Sequence, residues 1–119
     1  MQSYKDLQVW NRSIALVKNI YSLTNKFPSS ERFGLTSQMQ RSAVSIPSNI
    51  AEGRLRVGEK SFIQFLLIAL GSCAELQTQI IIAREVGYSK EVEVRKIEEE
   101  IEEIMKMISS LIKKLKANS

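Results

Sequence analysis

The 119-residue sequence predicts an all-α protein, a single domain over 1–119 folded as an up-down-up-down four-helix bundle. Four long segments repeat apolar residues at steps of three and four, and β-branched runs that alternate apolar with polar, as a half-buried strand would, are few. The breaks between them are short and hold Gly, Pro and Ser, so long neighbouring helices must run antiparallel. A chain of this length buries about two thirds of the surface its unfolded form exposes, and needs no second domain.

Leu7, Trp10, Ile14, Val17, Tyr21 and Thr24 step by 3, 4, 3, 4 and 3, which sets helix one over 6–25 with those residues as its seam. "FPSSERFG" interrupts the pattern with Pro28 and Gly34, and Thr36 is placed to cap helix two, over 36–54. Its apolar face is Leu35, Met39, Ala43, Ile46 and Ile50, and Gly53 is read as its stop before the basic connection "RLRVG". Phe62, Leu66, Ala69, Cys73, Leu76, Ile80 and Ala83 define helix three over 59–85, roughly 40 Å long. Gly87 ends it, and Ser89 is placed to cap helix four, which runs to 116. Val94, Ile97, Ile101, Ile104, Ile108, Leu111 and Leu115 form its seam, and Lys113, Lys114 and Lys116 suit the negative end of its dipole.

Two helices are apolar over more than one face. Helix one carries Val9, Leu16, Ile20 and Leu23 beside its seam, and helix three carries Ile63, Leu67, Leu70, Ala74 and Ile81. Such helices bury more than one face, in a broad core or against another subunit.

Helix two contains a conflict. Pro47 inside "AVSIPSNIAEG" lacks a donor and clashes with the carbonyl of Ala43, which predicts a bend. Ser42, Ser45, Asn49 and Glu52 follow at spacings of 3, 4 and 3, a polar stripe along one flank. Its structural interpretation is local repair: Ser42 and Ser45 satisfy the freed backbone, while Asn49 and Glu52 bond across to a neighbouring helix or subunit. Its functional interpretation is a ligand site.

The chain has no histidine and one cysteine, which excludes an intrachain disulfide, the usual zinc ligand sets and Ser-His-Asp or Cys-His hydrolysis. The expectation is a non-enzyme without cofactor or metal. Glu52 and Glu75 as paired carboxylates lack the histidine that bundle di-metal sites use. Cys73 lies on the core stripe, where an inert thiol is expected. The longest uninterrupted apolar run, "FLLIALG", is far short of the ~20 residues of a membrane span, and no secretory signal precedes it, so a cytoplasmic protein with no membrane partner is expected. The "NRS" at Asn11 then carries no weight as a glycosylation acceptor.

Net charge is +4, unevenly distributed: residues 1–60 hold nine Lys or Arg against four acids, and 61–119 hold eight against nine. Arg12, Lys18, Arg41, Arg54, Arg56 and Lys60 are the candidate phosphate-binding cations. No base-reading motif accompanies them, so binding to RNA or DNA would be tolerant of sequence. Trp10, Phe62 and Phe65 are either stacking platforms for bases or, given their seam positions, core. "EEEIEE" at 98–103 is either a solvated face with a Glu102–Lys106 pair or a band that meets cations of another subunit.

"YKDLQVW" at Tyr4, "GLTSQMQRSAVSIPSNIAEG" at Gly34 and "FLLIALGSCAELQTQIIIAREVGY" at Phe65 resemble, in the right order, the four helix bundle protein family. It is also called the 23S rRNA-intervening-sequence protein or S23 family. The resemblance implies a bacterial bundle that assembles as a ring-shaped homopentamer and is sometimes encoded within insertions in the large-subunit rRNA gene. A related group, the accessory variability determinant of diversity-generating retroelements, is similar in fold and works as a basic pentamer beside a reverse transcriptase and its template RNA. The implied partners are therefore further copies of this chain, RNA or DNA, and a reverse transcriptase or other neighbouring-gene protein. The expected function is a non-enzymatic oligomer with a nucleic-acid-associated or adaptor role; the alternative is a protein-docking ring without a nucleic-acid ligand.

Overall fold

Four helices form in the computed structural model of the protein, which describes residues 3–118: α1 (Gln8–Thr24), α2 (Leu35–Leu55), α3 (Glu59–Glu85) and α4 (Glu91–Ala117). Single 3₁₀ turns at Tyr4–Asp6 and Ser29–Glu31 precede α1 and α2. α1 packs on α2 and α4, and α3 packs on the same two, which closes a four-cornered bundle of 46 × 22 × 20 Å. The short connections make each helix antiparallel to the next.

The core confirms three of the four predicted seams and replaces one. On α3 all seven predicted residues are buried, and on α4 Val94 to Ile108 are buried while Leu111 and Leu115 are partly covered and Ile112 takes an inner place. On α1 the inner stripe is Val9, Leu16, Ile20 and Leu23, with Ser13 and Thr24. Of the predicted seam, Ile14 and Tyr21 turn outward, 43% and 41% exposed, while Leu7, Trp10 and Val17 are partly covered at the edge of the core. Both stripes have the same period; only the position of the partners selects between them. Thr24, a residue of the predicted seam that is nevertheless buried, is held on the α2 side, where its hydroxyl donates to the Ile20 carbonyl at 2.8 Å and accepts from Gln40 at 3.0 Å.

The helix ends also differ from the sequence expectation. α2 begins at Leu35, and a distant carboxylate does what Thr36 was expected to do: Glu31 Oε1 accepts from the Leu35 N–H at 3.1 Å. Gly53 does not stop α2, which continues to Leu55. A Cβ there would lie 2.6 Å from Phe65 Cβ and 3.0 Å from Phe62 Cδ1, so this glycine lets α2 and α3 approach closely. Gly87, at φ 85°, does end α3: its N–H donates to Arg84 and that of Tyr88 to Ala83, the paired bonds of a Schellman turn. Ser89 is buried with its hydroxyl unpartnered, and Glu93 reaches back to the Lys90 N–H at 3.0 Å to start α4.

α3 carries an 18-residue stretch of mean hydropathy 1.6, enough by length and composition to cross a membrane although no uninterrupted apolar run is that long. Here Leu66, Ala69, Cys73, Leu76 and Ile80 are fully buried in the core, with α2 and α4 packed on α3.

Candidate functional site

α2 runs unbroken through Pro47, whose buried ring faces α1 in a cleft with Trp10 and Val17. The polar stripe lies on the other flank, toward α3. Ser45 Oγ does not turn back to the Ala43 carbonyl; it meets Ser72 Oγ of α3 at 2.8 Å, and the Ser72 hydroxyl also lies 3.2 Å from the Ile68 carbonyl. Asn49 stays within its own helix, where Nδ2 donates to the Ser45 carbonyl at 2.8 Å and to Ser45 Oγ at 2.9 Å. Glu52 pairs with Arg56 at 2.7 Å, also within the chain. Ser42 is buried and its hydroxyl makes no hydrogen bond among the described residues. The α2–α3 crossing is thus made by two serines, with Asn49 holding one of them. Sequence reasoning missed Ser72, because the spacing within one helix does not show which hydroxyl faces it from another.

The basic candidates separate into two groups. Arg54, Arg56 and Lys60 flank the α2–α3 turn at one end of the bundle. The Arg54 guanidinium lies 6.0 Å from the Phe62 ring and that of Arg56 lies 5.2 Å from Phe65. Phe62 is buried and Phe65 and Trp10 are half-buried, so these rings serve packing, and the two phenylalanines also carry guanidinium groups. Arg12 lies one turn into α1, near the same end, whereas Lys18 is about 15 Å along that helix and Arg41 about 20 Å from Arg54. All three are exposed.

Folding adds cations that the sequence reading assigned only to a helix dipole. Leu111 and Leu115 of α4 share a cleft of about 330 Å³ with Leu7, Arg54, Arg56 and Phe62. Lys113 and Lys114 of the same helix end, and Lys5 before α1, therefore stand at the pole that holds the α2–α3 turn. Lys60, Lys113 and Lys114 are exposed and make no ion pair among the described residues. The signal was present in the antiparallel topology, which sets the end of helix four beside the end of helix two.

Asp6, Glu52 and Glu59 also stand at the basic pole, Glu59 lining the cleft, while most other acids lie elsewhere and several are engaged within the chain. Arg84 reaches Glu85 at 3.2 Å, Glu91 at 3.4 Å and Glu98 at 3.9 Å; Asn19 donates to Glu100 at 2.8 Å; Lys26 pairs with Glu93 at 3.2 Å. Glu102 and Lys106 form no ion pair among the described residues. No group of three His, Cys, Asp or Glu comes together to hold a metal among the described residues. The Cys73 thiol is pushed up to about 12 by burial.

Residues 5–110 match the family described as 23S rRNA-intervening sequence protein. Among solved structures, a protein of unknown function from the S23 ribosomal protein family of Bacteroides thetaiotaomicron VPI-5482 superposes with a TM-score of 0.82 at 26% identity. The alignment covers 88% of this chain and 98% of that one. No curated protein matches. With the match spanning nearly the whole bundle, this chain belongs to the 23S rRNA-intervening sequence protein family.

Proposed function

We propose that this protein is a non-enzymatic, self-associating cytoplasmic bundle that holds RNA or DNA by its phosphates through the basic pole. The observation that supports it is the convergence of Arg54, Arg56, Lys60, Lys113, Lys114 and Lys5 from four chain segments at one end of the bundle. Exposed Lys and Arg positioned this way bind phosphate without reading bases, and repetition around an oligomer multiplies the contacts. Glu52 offsets part of the Arg56 charge, so the lysines carry the larger share. A gel-shift titration at ~50 and ~200 mM salt tests it, because several phosphate contacts lose orders of magnitude in affinity over that range. The Arg54/Arg56/Lys60→Gln variant and a Lys113/Lys114→Gln variant should each weaken binding to every sequence alike and flatten the salt slope. Absence of retention at the lower salt, or unchanged binding by both variants, sinks the proposal.

Self-association draws support from two exposed apolar surfaces. One combines Ile14 and Tyr21 of α1 with Val44 of α2; the other lies on α3, where Leu67 is 50% and Ile68 52% exposed, with Ile82 beyond and the small Gly71 and Ala74 between. The two surfaces differ, so the α3 face of one copy against the α1–α2 face of the next is a head-to-tail contact, which closes into a ring when the rotation allows. The family resemblance favours five copies. Light scattering should then give a mass several times 13.5 kDa, and Leu67→Glu with Ile68→Glu should reduce it to one. An assembled ring without nucleic-acid retention would favour the alternative, a protein-docking ring.

A further inference from the structure

On the flank of α2 that faces α3, a groove of about 570 Å³ opens to solvent beside the Ser45–Ser72 crossing. Its volume is in the range of small-molecule sites, about 300–1,000 Å³. Gln79 of α3 lines it and is only 7% exposed, yet its Oε1 is fully buried with no hydrogen-bond partner. A buried amide carbonyl left unpaired is costly, and most others are satisfied. Ser42, also buried, lines the same groove with its hydroxyl unused.

Two opposite charges flank these groups. Glu75 is one turn before Gln79, about 6 Å along the axis, and Arg41 stands across the groove on α2. Both are exposed, neither has an ion pair among the described residues, and they do not close on each other. The groove therefore offers a buried acceptor beside a carboxylate on one wall and a guanidinium on the other.

We propose that this groove binds a small amphoteric molecule of the free amino-acid class, one that carries a guanidinium or ammonium group and a carboxylate. The Gln79 amide turns about its terminal torsion so that Oε1, closed to solvent in the unliganded chain, meets the donor group together with the Glu75 carboxylate, and the ligand carboxylate meets Arg41. A planar guanidinium suits the first pair because its forked N–H donors span two acceptors. An Arg–carboxylate pair suits the second because it is bidentate. A simple anion would face Glu75 and leave the Gln79 carbonyl unpaired, and a simple cation would face Arg41. The amphoteric class alone leaves no charge on the walls opposed.

L-arginine is the probe, followed by titration calorimetry and thermal shift, with agmatine as the matched molecule that lacks the carboxylate. Arginine should bind saturably at one per chain and raise the melting temperature with concentration, and agmatine should bind at least about tenfold more weakly. Arg41→Gln, at an exposed position, should remove the advantage of arginine over agmatine, weakening arginine while agmatine binds no worse because no guanidinium then opposes its charge. Glu75→Gln should weaken both. Gln79→Leu should abolish binding while raising the melting temperature of the unliganded protein, since it removes an unpaired buried amide. No saturable signal with arginine, equal affinity for agmatine, or parental binding by Arg41→Gln would each overturn the proposal.

Discussion

The Tyr88 hydroxyl donates to Glu31 Oε2 at 2.8 Å across 57 positions of sequence, fastening the turn after α3 to the loop before α2. The other oxygen of that carboxylate caps α2 at Leu35, and Phe27 packs against the Tyr88 ring at 5.5 Å between centroids. Gly34 keeps the space open, because a Cβ there would lie 2.7 Å from Glu31 Oε1. One side chain thus starts a helix and joins two connections at the pole opposite the basic one.

Removing either partner should therefore cost more than one surface hydrogen bond. Glu31→Ala is expected to lower the melting temperature by more than Tyr88→Phe, since it also removes the cap of α2. In a double-mutant cycle by urea unfolding the two should be less than additive. Full additivity would show that the observed bond does not couple them.

Acid should unload the same contacts. The Leu35 N–H, and then the Tyr88 hydroxyl, hold the Glu31 carboxyl below its ordinary value of 4.5; the Lys90 N–H, and then Lys26, do so for Glu93. Both groups release their protons more readily folded than unfolded. Their stabilisation is complete above the unfolded value and disappears as pH falls through the folded ones. Melting temperature should decline between roughly pH 5 and 3, and less steeply in Glu31→Gln/Glu93→Gln. Equal slopes would count against both contacts.

The two faces of α1 make opposite predictions for residues of similar size. Leu16→Ala, at a fully buried position, should cost about 2–5 kcal/mol, and Ile14→Ala well under that, because Ile14 is already exposed. Ile101→Asp, which places a charge in the core stripe of α4, should prevent folding. Chemical denaturation of the three variants gives the comparison; equal losses for Leu16 and Ile14 would restore the seam predicted from spacing.

Gly53→Ala is expected to destabilise by about 1–3 kcal/mol although alanine is the better helix former. The added Cβ meets Phe65 Cβ at 2.6 Å, where backbone and not a flexible side-chain end would have to move. Increased stability on denaturation would mean that α2 and α3 separate at little cost.

Cys73 should resist thiol reagents at pH 8 in the folded protein, its thiol being raised to about 12 by burial, and react readily in urea. Rapid labelling of the native protein would reveal an opening of the α3 core stripe.

Periodicity made four helices legible, with the span of α3 matching Glu59–Glu85, because apolar residues at steps of three and four specify a helix before any partner is known. The same periodicity could not decide which of two stripes on α1 faces inward. Ile14 and Leu16 are equally apolar, and only the positions of α2 and α4 bury one and expose the other. Gly53 looked like a stop because glycine often ends helices, whereas its reason is the Phe65 side chain, twelve positions away and on another helix.

By itself the sequence determined the fold class, the helix register of α3 and α4, the family motifs and the exclusion of histidine chemistry, all properties carried by residue type and local spacing. The tertiary structure decided where charges and polar groups meet. Antiparallel packing sets Lys113 and Lys114 beside Arg54 and Lys60, joins Ser45 to Ser72, and leaves Gln79 Oε1 unpaired between Arg41 and Glu75. Such pairings depend on distance in space between residues remote in the chain, a quantity that helical spacing does not contain.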